Sequence, residues 1–260
     1  MTTTNLHEYS MHYIDSGEGT AILFIHPPVL TSLSFTYQIQ GLSPYFRTIA
    51  FDIRGHGKSL PSKQTITYPL IVEDIKHLMD RLNLDKVFLC GYSIGGSIVL
   101  EFLLTYPDRA WGGIVISGMS EVNDWRLKNK ISLGIALSKI GAVGTIALSN
   151  AWSQTKRLSL FRRLFNDARH GNPKNVEQFY RYSLKYNCTS RLGEIQLPVL
   201  LVYGEEDQHF HRYANLLNQQ LPKSELVFIK KADHRLPTKA AGTLNELVKQ
   251  FIDRFSENHL

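Results

Sequence analysis

Residues 86–96, KVFLCGYSIGG, constrain this chain more than any other stretch. Residues 87–90 are a short apolar run of strand type, residues 91–95 form a G-x-S-x-G pentapeptide, and residues 97–106 continue in a helical pattern. A serine on a sharp strand-to-helix turn has its hydroxyl pushed out into solvent. It also sits at a helix N-terminus, where backbone N–H groups point at any developing anion. In so tight a turn a Cβ at Gly91 or Gly95 would clash, which is the steric reason for glycine at both. The pentapeptide by itself also fits an ordinary glycine-rich turn; the strand before it and the helix after it make it informative.

The rest of the chain repeats that alternation on both sides. Residues 6–14 suggest one or two short strands, and residues 21–25 (AILFI) form the continuous apolar run of a strand buried on both faces. That run stops at His26-Pro27-Pro28, because prolines cannot continue a central strand. A helix over 34–42, a strand over 48–53, the turn-rich loop RGHGKS and a helix over 68–82 follow; the last has apolar residues at 70, 71, 75, 78, 79 and 82. After the central strand and helix, residues 114–116 give another buried strand. From 121 to about 191 the alternation stops and the sequence is helical and loop-like. It resumes with a strand over 197–203, a helix near 213–220, a strand over 226–229 and a C-terminal helix over 243–255. Strands alternating with helices predict an α/β fold, a mostly parallel eight-stranded sheet covered on both faces. The interruption predicts a helical cap (lid) at 121–194, inserted after strand 6 into a core formed by 1–120 and 195–260.

A chain of 260 residues, 43% of them hydrophobic, can bury one large core. No opening segment reads as a secretory signal. The longest weakly charged stretch, 131–148, contains Lys139 and three glycines and reads as buried helix, not as a membrane span. Of the two cysteines, Cys90 falls in an apolar strand and Cys188 in a polar loop, so a disulfide framework is not expected and a reducing cytoplasm fits. The net charge of +6 is uneven: residues 121–194 hold 13 Lys and Arg against 5 Asp and Glu, and the remainder holds 16 against 18. A basic surface attracts anionic substrates, acidic lipids or nucleic acid, or simply aids solubility. No nucleic-acid motif accompanies it. The expected partner is a small molecule, with no stable membrane insertion and a monomer or homodimer as the working state.

In an open parallel sheet functional residues gather at the carboxyl ends of the strands. Those loops bring together Ser93, His26, Asp52, Asp207 and His234. A serine hydroxyl needs a base titrating near neutrality, which histidine supplies, and the imidazolium needs a carboxylate to orient it. Ser93, Asp207 and His234 each follow a strand, in the order Ser…Asp…His. Glu205 and Glu206 adjoin Asp207 and compete with it. Asp233 adjoins His234, but neighbouring side chains in an extended loop diverge.

With GYSIGG at the turn, DIRGHGKS after the fourth strand and LLVYGEEDQ before the proposed acid, the sequence resembles the α/β-hydrolase fold family over roughly 5–120 and 195–260. The resemblance implies Ser93 as nucleophile, Asp207 as orienting acid and His234 as base, and gives the counterparts of His26 and His56 a loop-shaping role. Asp52 and Arg54 are expected to brace their loop. It implies an oxyanion hole formed by the N–H of Ile94 and a donor from the loop after the third strand. There this chain departs from the family's usual His-Gly start: positions 27 and 28 are prolines, and a proline has no N–H. Either the loop is shifted so that Val29 donates, or the hole is incomplete at Pro28; Tyr92 and Pro27 are the expected substrate neighbours.

The implied reaction is acyl transfer to water, with no metal or organic cofactor. Small or medium carboxylic esters, lactones or thioesters are the default substrates. Serine at 93 argues against the dehalogenase and epoxide hydrolase branches, which carry aspartate there. Carbon–carbon hydrolysis, perhydrolysis or other non-ester chemistry on the same residues, and a ligand-binding receptor with weak turnover, stay open because specificity lies in the cap.

Overall fold

The computed structural model describes residues 2–6, 9–155 and 157–256. Eight strands form one sheet: β1 (Thr2–Leu6), β2 (Tyr9–Ser16), β3 (Ala21–Ile25), β4 (Arg47–Phe51), β5 (Val87–Tyr92), β6 (Ala110–Ile116), β7 (Val199–Gly204) and β8 (Ser224–Ile229). Their spatial order is β1-β2-β4-β3-β5-β6-β7-β8, with β2 alone antiparallel to its neighbours. The expected eight-stranded, mostly parallel sheet is therefore present.

The helices are α1 (Thr36–Leu42), α2 (Tyr68–Arg81), α3 (Ile94–Thr105), α4 (Trp125–Lys139), α5 (Val143–Gln154), α6 (Leu158–Ala168), α7 (Pro173–Lys185), α8 (Gln208–Gln220), α9 (Leu236–Lys239) and α10 (Ala241–Ser256). Every residue of β3, β5 and β7 is buried, as continuous apolar runs require. Because side chains alternate along a strand, Leu23 and Ile25 join the core beneath α2, α3 and α8, while Ile22 and Phe24 join the core beneath α1 and α10. Local chemistry sets the helix ends. Thr67 caps α2 by accepting from the Leu70 N–H, and Asn83, just past the other end, takes the left-handed conformation with φ 53°.

Helices α4 to α7 fill the interval between β6 and β7, where the alternation of the sequence stops. Three expectations need correction or refinement. Residues 131–148 are not one buried helix: Gly141 at φ 76° breaks them into α4 and α5, which bury Ile131, Val143 and Ile146 but leave Leu133, Ile140 and Leu148 exposed. Cys188 lies in the expected loop after α7 but is buried there, and burial pushes its thiol up to about 11; Cys90 is also buried, and both thiols are free. Strand β6 starts four residues before the apolar run at 114, because Trp111-Gly112-Gly113 carries little strand signal of its own yet pairs with β5 and β7. Part of the strand expected over 6–14 falls on His7 and Glu8, outside the described residues.

The loop after β4 is braced as its sequence suggests. Asp52 is fully buried and accepts from the backbone N–H of Ser32 (2.8 Å) and Lys58 (2.9 Å). Arg54 forms a two-pronged buried ion pair with Asp74 at 2.6 and 2.7 Å, tying this loop to α2.

Candidate active site

Ser93 lies between β5 and α3 with φ 53° and ψ −120°, a conformation that costs of order 1–3 kcal/mol in a residue with a Cβ. The Ser93 N–H donates to the Ile116 carbonyl at 2.7 Å, and this bond helps hold the strained turn. The two flanking glycines are there because nothing larger fits. A Cβ on Gly91 would lie 2.2 Å from the Gly95 carbonyl oxygen, and one on Gly95 would lie 2.2 Å from the Ile25 carbonyl oxygen.

Asp207 follows β7 and opens α8, and His234 follows β8, so strand order brings both beside Ser93. The Asp207 Oδ2–His234 Nδ1 distance is 2.7 Å, and His234 Nε2 lies 3.1 Å from Ser93 Oγ. With the Nδ1 proton donated to the carboxylate, Nε2 is left with its lone pair toward the serine hydroxyl. The rings of Phe210 and Tyr92 pack on the imidazole with centroids at 4.3 and 5.5 Å. Asp233 is committed elsewhere: it pairs with Arg235, whose side chain holds it below the usual carboxylate range, and Glu205 accepts from the Lys231 N–H. Arg235 also donates to the Ser153 carbonyl at 2.8 Å, joining the loop of His234 to α5.

His26 and His56 are fully buried and take no part in this chain. His26 Nε2 accepts from the Ile53 N–H at 2.9 Å, so its Nδ1 carries the proton and donates to the Pro27 carbonyl at 2.9 Å. Burial lowers His26 to about 4 and His56 to about 3, so both rings stay neutral near pH 7.

The loop after β3 is unusual. Pro28 has no N–H, which removes it as an oxyanion donor. Val29 adopts φ 68°, rare for a β-branched residue, and its side chain is buried with Val143, Ile146, Ala147, Ala168 and Val176 from the inserted helices. No protein acceptor takes the Val29 N–H among the described residues. Ile94, as the first residue of α3, has no acceptor within its helix.

Above Ser93 is a cavity of about 480 Å³, within the range of small-molecule sites. Its walls include Pro27, Pro28, Leu30 and Tyr92 from the sheet side and Leu127, Ile131, Gln154 and Tyr180 from α4, α5 and α7. Tyr92 and Pro27, the expected substrate neighbours, both line it. The roof was not legible beforehand. Gln154 gives no motif, yet it donates to the Tyr92 hydroxyl (3.4 Å) and accepts from Thr238 (2.8 Å), and Phe210 carries no signal beyond following Asp207 by three.

The model of a family described as the alpha/beta hydrolase fold matches residues 20–135. The chain has the α/β-hydrolase fold. It is a hydrolase with that fold, and relatives match it along most of its length. A putative 2-succinyl-6-hydroxy-2,4-cyclohexadiene-1-carboxylate synthase of Bacillus subtilis (strain 168) is 28% identical over 251 residues, covering 89% of this chain and 90% of the relative. The carboxylesterase YbfK of the same organism is 26% identical over 247 residues, covering 93% and 83%. Among solved structures, a thermophilic esterase from Thermogutta terrifontis superposes with a TM-score of 0.82 at 20% identity, over 98% of this chain and 97% of that one.

Proposed function

We propose that this α/β-hydrolase is a serine esterase that cleaves small or medium carboxylic esters, lactones or thioesters through an acyl-enzyme on Ser93. The observation that carries the reading is the hydrogen-bonded line Asp207–His234–Ser93 at the floor of the cavity. His234 Nε2 takes the hydroxyl proton as Ser93 Oγ attacks the carbonyl carbon. Asp207 holds the imidazole in the tautomer that permits this and stabilises the imidazolium. The negative charge on the carbonyl oxygen falls to the N–H groups of Ile94 and Val29. His234 then passes its proton to the leaving alkoxide, and water repeats the sequence to release the acid.

The helices between β6 and β7 act as the cap, with 1–120 and 195–260 as the core, and the mixed apolar and polar walls suit a compact acyl group. The likeness to a carboxylesterase along nearly the full chain supports the ester reading. A second reading is non-ester chemistry on the same residues, and two observations favour it: the prolines at 27 and 28, and the similarity to a protein named as a synthase.

The test is hydrolysis of p-nitrophenyl acetate, butyrate and octanoate by the wild type and by Ser93→Ala. The expected result is measurable turnover that falls by at least ~10³-fold in the variant. A folded wild type with no turnover on any of the three esters overturns the ester reading.

A further inference from the structure

The inserted helices carry a pattern that the chemistry of the cavity does not use. From residue 125 to residue 166 the chain has eight Lys and Arg and no Asp or Glu. Among the described residues, eight large apolar side chains stay exposed, and six of them lie in this same stretch: Trp125, Leu133, Ile140, Leu148, Trp152 and Leu158. Burial of such groups is favourable, and their concentration in one segment marks a surface made to be covered.

The arrangement is ordered along the helices. On α4 and its C-cap, Trp125, Leu133 and Ile140 fall within an arc of about 80° at 3.6 residues per turn. Their exposures are 68%, 59% and 77%. Lys128 and Lys139 border this strip on one side, and Arg126 and Lys130 border it on the other, while Ile131, Gly134 and Ser138 form the buried face. On α5, Leu148 and Trp152 stand one turn apart, away from the buried Ala147 and Ala151. Exposed Arg162 and Arg163 follow on α6.

We propose that this surface docks the protein peripherally on an anionic lipid interface. Tryptophan and leucine side chains would enter the headgroup level while the bordering lysines and arginines meet lipid phosphates. Among the described residues no helix is long and apolar enough to cross a membrane, so the contact lies on the surface. Charge selects this occupant over a second copy of the chain, which would set eight cations against eight with no acidic side chain in the stretch to pair them. A nucleic acid would satisfy the cations and leave the aliphatic strip uncovered. The same surface borders the cavity: Arg126 and Lys130 on α4 and Ser153 and Gln154 on α5 line it, and Arg126 and Ser153 are next in sequence to Trp125 and Trp152. Docking therefore brings the mouth of the cavity to the lipid, and this holds whatever reaction Ser93 performs.

The test is co-sedimentation with vesicles of phosphatidylcholine alone and of phosphatidylcholine with a third phosphatidylglycerol, at low and high salt. Quenching of tryptophan fluorescence by bromine-labelled acyl chains is read in parallel. Binding to the anionic vesicles, weakened by salt and accompanied by quenching, is expected. Lys128→Gln with Lys139→Gln lowers that binding about thirtyfold, at ~5-fold per lysine, and leaves turnover of a short soluble substrate unchanged. Trp125→Ser with Trp152→Ser removes most of the quenching. Equal binding to neutral vesicles, no binding to anionic ones at low salt, or anionic binding that neither pair of substitutions weakens overturns the proposal. So does a lipid-free dimer, seen by sedimentation velocity, that shields both tryptophans from an aqueous quencher.

Discussion

Gly95→Ala puts the geometry of the strand-to-helix turn under direct test. The added Cβ would lie 2.2 Å from the Ile25 carbonyl oxygen and 2.9 Å from its carbon, about 1.2 Å inside ordinary contact. Ile25 is not free to retreat, because it pairs with Gly91 in the β3–β5 ladder. The strain therefore falls on the turn at Ser93 or on the loop His26-Pro27-Pro28. A displacement of 1 Å at Ser93 would stretch its 3.1 Å contact with His234 beyond hydrogen-bond range. Misplacement on that scale costs ~10²-fold in rate, and overpacking costs ~1–3 kcal/mol of stability. The assay is kcat/KM on the best p-nitrophenyl ester together with the urea midpoint. Gly144→Ala serves as the control, since a Cβ there meets nothing within 4 Å. It should leave kcat/KM unchanged and hold or raise stability by up to ~1 kcal/mol. If Gly95→Ala keeps kcat/KM within threefold at an unchanged midpoint, the steric account of the turn is wrong.

Two further outcomes follow from the neighbouring loops. His26 and His56 bind protons more weakly in the fold, at about 4 and about 3, than in the unfolded chain near 6.5. The stability they contribute is complete above pH 6.5 and is lost as pH falls toward the folded values, by up to ~1.4 kcal/mol per pH unit for each ring; urea midpoints that stay flat from pH 7 to pH 5 would refute this. Pro28→Ala supplies an N–H at position 28. If Val29 already donates to the oxyanion, kcat should change by less than about threefold; a rise toward the ~10²–10³ typical of one donor would mean the wild-type hole lacks its second N–H.

The difference between the legible and illegible parts of this site can be traced residue by residue. Glycine at 91 is forced by a contact within the turn itself, with the Gly95 carbonyl, so five residues flanked by strand and helix patterns expose it; glycine at 95 is forced by the Ile25 carbonyl of the neighbouring strand, a contact the local sequence does not carry. The buried strands β3, β5 and β7 declare themselves as apolar runs, because burial on both faces removes any polar alternation. The order Ser93, Asp207, His234 also survives in the sequence, since each residue follows its own strand. By contrast, Leu133, Ile140 and Leu148 look like core in the sequence and are exposed in the fold, because periodicity identifies an apolar face without saying what covers it.

The sequence by itself determined the α/β class, the strained serine turn and the identity of the residues that could form an acyl-transfer site, because those depend on short-range sterics and on apolar burial. Only the tertiary structure decided that His234 meets Ser93 across 141 positions, since that contact depends on the strand order β5-β6-β7-β8. It alone set Val29 at φ 68° and closed Gln154 over Tyr92, because both depend on helices from the insertion packing against loops far away in the chain. Long-range packing of that kind leaves no periodic or local trace for a sequence to carry.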